Sequence, residues 1–142
     1  MSTSRARRQH EPTPGERRAA RERALGLLYE AEAKGLTPAE VLASLPAEPD
    51  PFAEELVRGV EQELETIDAL IAKHAEGWAV DRMPAIDRQL MRIATYELLA
   101  RRDVSRAVVI DEAVELAKDF STSESGAYVN GVLSAVADEL GR

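Results

Sequence analysis

Three arginines near the start of the chain, Arg17, Arg18 and Arg21, have the residue type and the spacing of a binding site. In an α-helix, Arg17 and Arg21 continue the stripe formed by the apolar residues Ala24 and Leu28. A guanidinium held at the edge of a core is rigidly presented, and its planar fork of donors suits phosphate. The pattern therefore predicts an anion-binding site at this end of the chain.

Charge is unevenly distributed along the sequence. Residues 1–23 carry seven Arg against three Glu, a net of +4, and the other 119 residues carry 11 Lys or Arg against 23 Asp or Glu, a net of −12. A basic leading end on an acidic body is typical of arms that contact nucleic acid. The alternative is a solvated tail, because an acidic body repels phosphate.

A second group of candidate binding residues surrounds a serine-rich loop, with Phe120 before it and Tyr128 after it. An exposed ring can stack on an unpaired base, while hydroxyl and helix N-terminal groups can bond base edges or phosphate. The alternative is that both rings are core, since Phe120 continues the buried stripe of its helix. The loop serines are also expected to cap the helix that follows.

Other charged residues have two interpretations. Glu97 falls in an apolar stripe, and we expect it to have an arginine or backbone partner, because an unpaired buried carboxylate is costly. Six further arginines either extend a basic surface or form ion pairs with nearby acids: Arg82, Arg88, Arg92, Arg101, Arg102 and Arg106.

The residue types do not favour catalysis. His10 lies in the tail and His74 stands alone, with no nucleophile arranged around either. There is no glycine-rich phosphate loop and no metal-ligand spacing, so we expect neither a cofactor nor a metal. The absence of Cys fits a reducing cytosol, and no apolar run reaches the ~18 residues of a membrane span. We expect a cytoplasmic, non-enzymatic protein.

The elements that must position these residues are predicted to be helices. Residues 1–15 have no large apolar residue after Met1 and are expected to be a disordered basic tail, followed by a single domain over 16–142. Apolar residues there recur every three or four positions, and no useful stretch alternates with a period of two. The fold class is therefore all-α with about seven helices. Expected helices cover 16–34, 38–45, 52–75 (one helix, or two meeting near Thr66), 84–100, 106–119 and 126–140.

Three segments resemble the family of the bacterial transcription antitermination factor NusB: RRAARERALGLLYEAE, IDRQLMRIATYELL and VVIDEAVELAKDFSTSESGAYVNGVL. The likeness covers nearly everything from Arg17 to Leu140. It implies two small three-helix bundles joined by a linking helix. Such proteins bind the boxA element of nascent single-stranded RNA together with a small-subunit ribosomal protein, called NusE in this role. They then join the RNA polymerase antitermination complex during ribosomal RNA synthesis.

The resemblance also implies residue roles. Tyr29 and Asp87 would contact the ribosomal protein, and Tyr128 stands where a Phe is common. Ala19 and Ala20 depart from the commonest family pattern and leave fewer arginines in this run. Some relatives form dimers that cover the arginine motif, so a homodimer is an open alternative. Eight residues would contact RNA: Arg17, Arg18, Arg21, Asp81, Phe120, Glu124, Ser125 and Tyr128.

Two other classes of function stay open. One is a protein-interaction adaptor that binds the ribosomal protein and ignores RNA. The other is an accessory domain like those that precede certain ribosomal RNA cytosine methyltransferases, although the lack of Cys and of a cofactor-binding half argues against it. The sequence leaves open whether Arg5, Arg7 and Arg8 of the tail take part.

Overall fold

A computed structural model of the chain describes residues 11–142, and all regular structure in that range is helical, as predicted. Most of the predicted tail, with Arg5, Arg7 and Arg8, lies outside the described residues. None of the described helices is long and apolar enough to cross a lipid bilayer. The helices are α1 (Pro14–Lys34), α2 (Pro38–Ala43), α3 (Pro51–Gln62), α4 (Leu64–His74), a 3-10 turn (Val80–Arg82), α5 (Ala85–Ala100), α6 (Arg106–Phe120) and α7 (Ser125–Glu139).

Helix α1 begins at Pro14, two residues earlier than expected. The side chain of Thr13 accepts a hydrogen bond from the Glu16 backbone N–H at 3.1 Å, and the Glu16 carboxylate accepts one from the Thr13 N–H at 2.8 Å. This reciprocal pair satisfies N–H groups that have no partner within the helix. At the other end Gly35 adopts a left-handed conformation with φ of 68°, as a helix-ending glycine does.

Helices α3 and α4 correspond to the segment predicted as one long helix or two. The structure has two, and the junction lies at Glu63 rather than near Thr66. Glu63 leaves the helical conformation (φ −105°, ψ 17°), so the apolar stripe does not run unbroken across it. The apolar spacing of three or four positions predicts Leu64 on the buried face of this segment, whereas the residue, which directly follows the break, is 37% exposed.

Two three-helix groups form around a continuous core. Helices α1, α2 and α3 pack together, as do α5, α6 and α7, and α4 follows α3 and packs against α5 and α7. Helix α5 also contacts α1 and α3, which places it between the two groups. This central position brings the start of α1 close to α5 and α6, where the predicted binding residues lie.

Candidate nucleic-acid interface

The predicted arginine motif on α1 contains one buried and two partly exposed members. Arg21 is 3% exposed, and its Nε and Nη2 each lie 2.8 Å from the carboxylate of Glu97, which is 1% exposed. The predicted partner for Glu97 is therefore confirmed, and it is Arg21. A two-bonded, buried guanidinium–carboxylate pair of this kind satisfies charges that would otherwise be costly to bury.

Arg18 lies at the surface and connects α1 with the end of α6. Its Nη2 donates to Asp119 Oδ2 at 3.0 Å, and its Nη1 is 3.7 Å from Glu112 Oε1. The adjacent residue, Phe120, is 46% exposed, so the alternative in which its ring belongs to the core is wrong. Arg18 and the exposed ring of Phe120 therefore belong to neighbouring parts of one surface.

Phe52, the second residue of α3, is surrounded by guanidinium groups. The guanidinium carbons of Arg17, Arg21 and Arg101 lie 5.4, 5.6 and 5.1 Å from the centre of its ring. A cation at that distance from a ring centre is attracted by the ring's quadrupole. Arg17 forms no ion pair with residues 11–142 within 4 Å; its guanidinium lies over this ring and also interacts electrostatically with Asp103.

The loop between α6 and α7 is attached to α5 through Ser125. The Ser125 hydroxyl donates to Asp87 Oδ2 at 2.8 Å, and the two residues are 5% and 4% exposed. Helix α7 has no side-chain cap, because its first residue is Ser125 itself and Glu124 occupies the cap position without a side-chain bond. The expected capping by a loop serine is therefore wrong, since the hydroxyl of Ser125 faces Asp87. Glu124 is exposed.

Tyr128, three residues into α7, packs against Trp78 in the connection between α4 and the 3-10 turn. The ring centres are 6.1 Å apart and the planes are tilted by 47°. The Tyr128 hydroxyl is buried without a partner among the described residues. Burial, together with the nearby Asp87 carboxylate, raises the pKa of this hydroxyl. Asp81 lies in the 3-10 turn beyond Trp78 and is exposed.

Three predicted contact residues differ from expectation because they are buried. Arg21 is bonded to Glu97, and Ser125 and Asp87 are bonded to each other, so none of the three presents its polar group at the surface. Sequence identifies such side chains as polar but does not reveal that they have partners distant in the chain. The other predicted residues are exposed or half-buried: Arg17, Arg18, Tyr29, Asp81, Phe120, Glu124 and Tyr128.

Most of the further arginines form ion pairs, as the alternative interpretation predicted. Arg101 illustrates this, with Glu55 at 2.8 Å and Asp103 at 2.9 Å. The hydrogen bond from Arg101 lowers the pKa of Asp103 to about 2. Arg102 and Arg82 are the exceptions within residues 11–142. Arg102 donates only to the Leu140 carbonyl at 3.4 Å, and the Arg82 side chain has no hydrogen-bond or ion-pair partner there. The remaining pairs are Arg88–Glu32, Arg92–Asp68 and Arg106–Asp138.

Three residues that contact the predicted binding residues were not themselves singled out from the sequence: Phe52, Asp119 and Trp78. Phe52 itself is buried, with 7% of its surface exposed, and its ring contacts the arginines from the core. The sequence does contain a signal for the exposure of Trp78. Its large ring directly follows Gly77 in a turn, where it is not on a helix face that could pack into the core. Nothing in the local sequence distinguishes Phe52 or Asp119.

His74 takes part in packing and surface charge rather than in a reactive arrangement. Its Nε2 lies 2.6 Å from Glu139 Oε1, and Lys73 also contacts that carboxylate. These contacts lower the pKa of Glu139. Within residues 11–142, no group of three or more Asp, Glu, His or Cys residues is arranged to hold a metal ion.

Comparison with known proteins shows which family the chain is similar to. The model of the NusB family matches residues 18–138. A transcription antitermination protein NusB from Salinispora tropica is 48% identical over 129 residues, which covers 86% of this chain and 95% of the relative. NusB of T. maritima has a similar structure, with a TM-score of 0.80, 34% identity and coverage of 91% and 94% of the two chains. A crystal structure of antitermination factors NusB and NusE in complex with dsRNA also matches, with a TM-score of 0.75, 28% identity and coverage of 87% and 96%.

Proposed function

Because the chain belongs to the NusB family of transcription antitermination proteins, we propose that it is a non-catalytic adaptor for RNA. It binds a boxA-type single strand of leader RNA together with the small-subunit ribosomal protein NusE, and so helps RNA polymerase to pass terminators in ribosomal RNA genes. The observation that carries this proposal is the hydrogen bond between Arg18 and Asp119, beside the exposed ring of Phe120. This bond supports the proposal because it ties a side chain suited to phosphate to the residue that precedes an exposed ring suited to base stacking.

A single strand can contact both groups because they lie on neighbouring elements. Arg17 and Arg18 offer guanidinium groups to the backbone, and Phe120 offers a ring to one base. The loop carrying Glu124 leads from Phe120 towards Tyr128, which extends the same path. Arg21 and Ser125 support this surface from beneath, through Glu97 and Asp87.

Tyr29 is a candidate contact for the ribosomal protein. It is 45% exposed and follows Arg18 by 11 residues on α1. In an α-helix that separation is about three turns, or roughly 16 Å, and it returns to nearly the same direction. A protein on Tyr29 would therefore stand beside RNA on Arg18, which favours joint binding. Asp87 would add to that contact only if its bond to Ser125 opened.

The experiment that tests the proposal replaces Arg17 and Arg18 together by Ala. We expect affinity for a labelled boxA-like RNA, measured by fluorescence anisotropy at fixed salt, to fall roughly tenfold to a hundredfold, because two charge-assisted contacts are lost. Helicity measured by circular dichroism should not change. The matched control is Arg23→Ala, since Arg23 is exposed on α1 and points about 140° away from Arg18.

Equal RNA affinity for the double variant and the Arg23 control would contradict the proposal. If Tyr29→Ala then abolished binding of the ribosomal protein while RNA had no effect on it, the chain would be a protein-interaction adaptor instead. Adding RNA and the ribosomal protein separately and together distinguishes the two functions.

A further inference from the structure

Two carboxylates of α6 lie against the guanidinium that is proposed to bind RNA phosphate. Arg18 Nη2 donates to Asp119 Oδ2 at 3.0 Å, and Arg18 Nη1 lies 3.7 Å from Glu112 Oε1. Asp119 follows Glu112 by seven residues, which is nearly two turns of helix, so both side chains project from the same face of α6. In the protein without RNA, a group that suits phosphate is therefore already in contact with two anions.

The two carboxylates differ in how firmly they are held. The Glu112 side chain is 25% exposed, its Oε1 atom is buried, and the same atom lies 4.0 Å from Arg21 Nη1. The Asp119 side chain is 54% exposed, and Arg18 is its one ion-pair partner within residues 11–142. Asp119 can therefore turn into water without disturbing another contact, whereas Glu112 stays between two arginines.

Binding of RNA to Arg18 conflicts with this arrangement. A carboxylate and a phosphate accept the same charge-assisted hydrogen bonds, and a bidentate contact uses two nitrogens of the guanidinium at once. Asp119 and Glu112 lie at the two terminal nitrogens of Arg18. A phosphate that engages Arg18 through both of these nitrogens must therefore displace a carboxylate, and the more exposed of the two is Asp119.

A carboxylate beside an arginine can also help binding, because it can hold the guanidinium in the geometry that a ligand needs. That help is small here, since Glu112 contacts Arg18 with or without Asp119. An exposed ion pair that has to open, by contrast, subtracts its whole free energy from that of RNA binding. The balance makes Asp119 a competitor of RNA rather than a support for Arg18.

We propose that Asp119 is an autoinhibitory residue that competes with RNA for Arg18. A phosphate of the bound strand takes the place of Asp119 on Arg18 Nη2, and the displaced carboxylate turns into water. Glu112 keeps the guanidinium facing the strand. The inference rests on the proposed RNA-binding function, and it adds a residue that limits the affinity to the residues that supply it.

The test replaces Asp119 by Asn, which keeps the shape of the side chain and removes its charge. We expect the affinity for a labelled boxA-like RNA, measured by fluorescence anisotropy at fixed salt, to rise by about twofold to fivefold, which corresponds to one exposed ion pair. Asp111→Asn is the matched control, because it removes the same charge from an exposed position about 12 Å away along α6. That distance exceeds the Debye length of about 8 Å at physiological salt, so the affinity of the control should not change.

A double-mutant cycle separates displacement from a general effect of charge. In a chain that carries Arg18→Ala, Asp119 has no guanidinium to occupy, so Asp119→Asn should leave the remaining RNA affinity unchanged. The difference between the two backgrounds measures the coupling between Asp119 and Arg18 in RNA binding. The circular dichroism of each variant should match that of the unsubstituted protein, since both side chains lie at the surface.

Failure of the inference and failure of the proposed function give different results. Equal affinities for Asp119→Asn and Asp111→Asn would refute the competition while RNA binding stands. Weaker binding by Asp119→Asn would show that Asp119 orients Arg18, and an undiminished gain in the Arg18→Ala background would show that Asp119 repels RNA directly. Either result overturns the inference. If neither the unsubstituted protein nor Asp119→Asn binds a boxA-like RNA, the proposed function fails as well.

Discussion

Arg18 and Arg21 stand three residues apart on α1 and have opposite environments. The Arg18 side chain is 34% exposed and its carboxylate partners are partly in water, so a phosphate can replace them at small cost. The Arg21 side chain is 3% exposed and is bonded twice to Glu97. Removing one partner of such a pair leaves an uncompensated buried charge. One motif thus contains an accessible arginine, Arg18, and a buried, paired arginine, Arg21.

This difference predicts opposite effects of two alanine substitutions. Arg21→Ala should lower the free energy of unfolding by about 3–5 kcal/mol, because it leaves the buried Glu97 carboxylate unpaired. Arg18→Ala should change that free energy by less than about 1 kcal/mol. Urea denaturation followed by circular dichroism measures both. Similar unfolding midpoints for Arg21→Ala and the unsubstituted protein would show that the buried pair is not a structural requirement.

At the scale of elements, the position of α5 depends on a close approach to α3. Gly59 of α3 lies so near Tyr96 of α5 that a Cβ added to it would be 2.2 Å from the Tyr96 ring carbon Cε1. Tyr96 in turn donates a hydrogen bond to Glu55 at 2.9 Å, and Arg101 binds the same carboxylate. The contact matters for the proposed interface because α5 also carries Glu97 and Asp87, which hold the arginine motif and the loop before α7.

Glycine is required at position 59 by this packing and not by helix geometry. Gly59→Ala should therefore destabilise the protein by about 1–3 kcal/mol, the usual effect of overfilling a packed contact, even though Ala favours a helix. Gly26→Ala is the matched control in α1, since a Cβ there has nothing within 4 Å. It should stabilise by up to about 1 kcal/mol. Thermal or urea unfolding that moved in the same direction for both variants would rule out the steric explanation.

At the scale of the whole molecule, charge separates into a basic start and an acidic remainder. The chain carries a net charge of −8, yet residues 1–23 are net positive. Many of the acidic groups near the predicted RNA face are already paired with arginines, such as Asp119 with Arg18 and Glu97 with Arg21. An RNA strand would therefore meet a local patch of guanidinium groups on a molecule that repels it elsewhere.

This arrangement predicts a specific salt dependence of RNA binding. Each phosphate neutralised on a single strand contributes about −0.7 to the slope of log affinity against log salt concentration. The Arg17→Ala, Arg18→Ala double variant should therefore have a slope shallower by about 1.4 than the unsubstituted protein. Arg58→Ala removes an exposed arginine paired with Glu54 and is the control, with an unchanged slope. A double variant that lost affinity without losing slope would place its arginines away from phosphate.

The sequence by itself determined the helical class, most helix boundaries and the location of the candidate surface. These follow from local rules, because apolar spacing and capping residues act within a few positions, as at Thr13 and Gly35. From the sequence, an exposed Phe120 was also one of two interpretations, and a partner for Glu97 was predicted. The predicted junction near Thr66 differs from the observed one at Glu63, because apolar periodicity alone does not reveal a local break in the helix.

Only the tertiary structure decided which polar residues face solvent. Glu97 bonds to Arg21 across 76 positions and Asp87 to Ser125 across 38, and no local pattern encodes such partners. The same holds for Trp78, which lies in a connection between elements and packs against Tyr128 on α7. A polar side chain becomes structural when a distant group pairs with it in a dry environment, and it remains available for binding when none does.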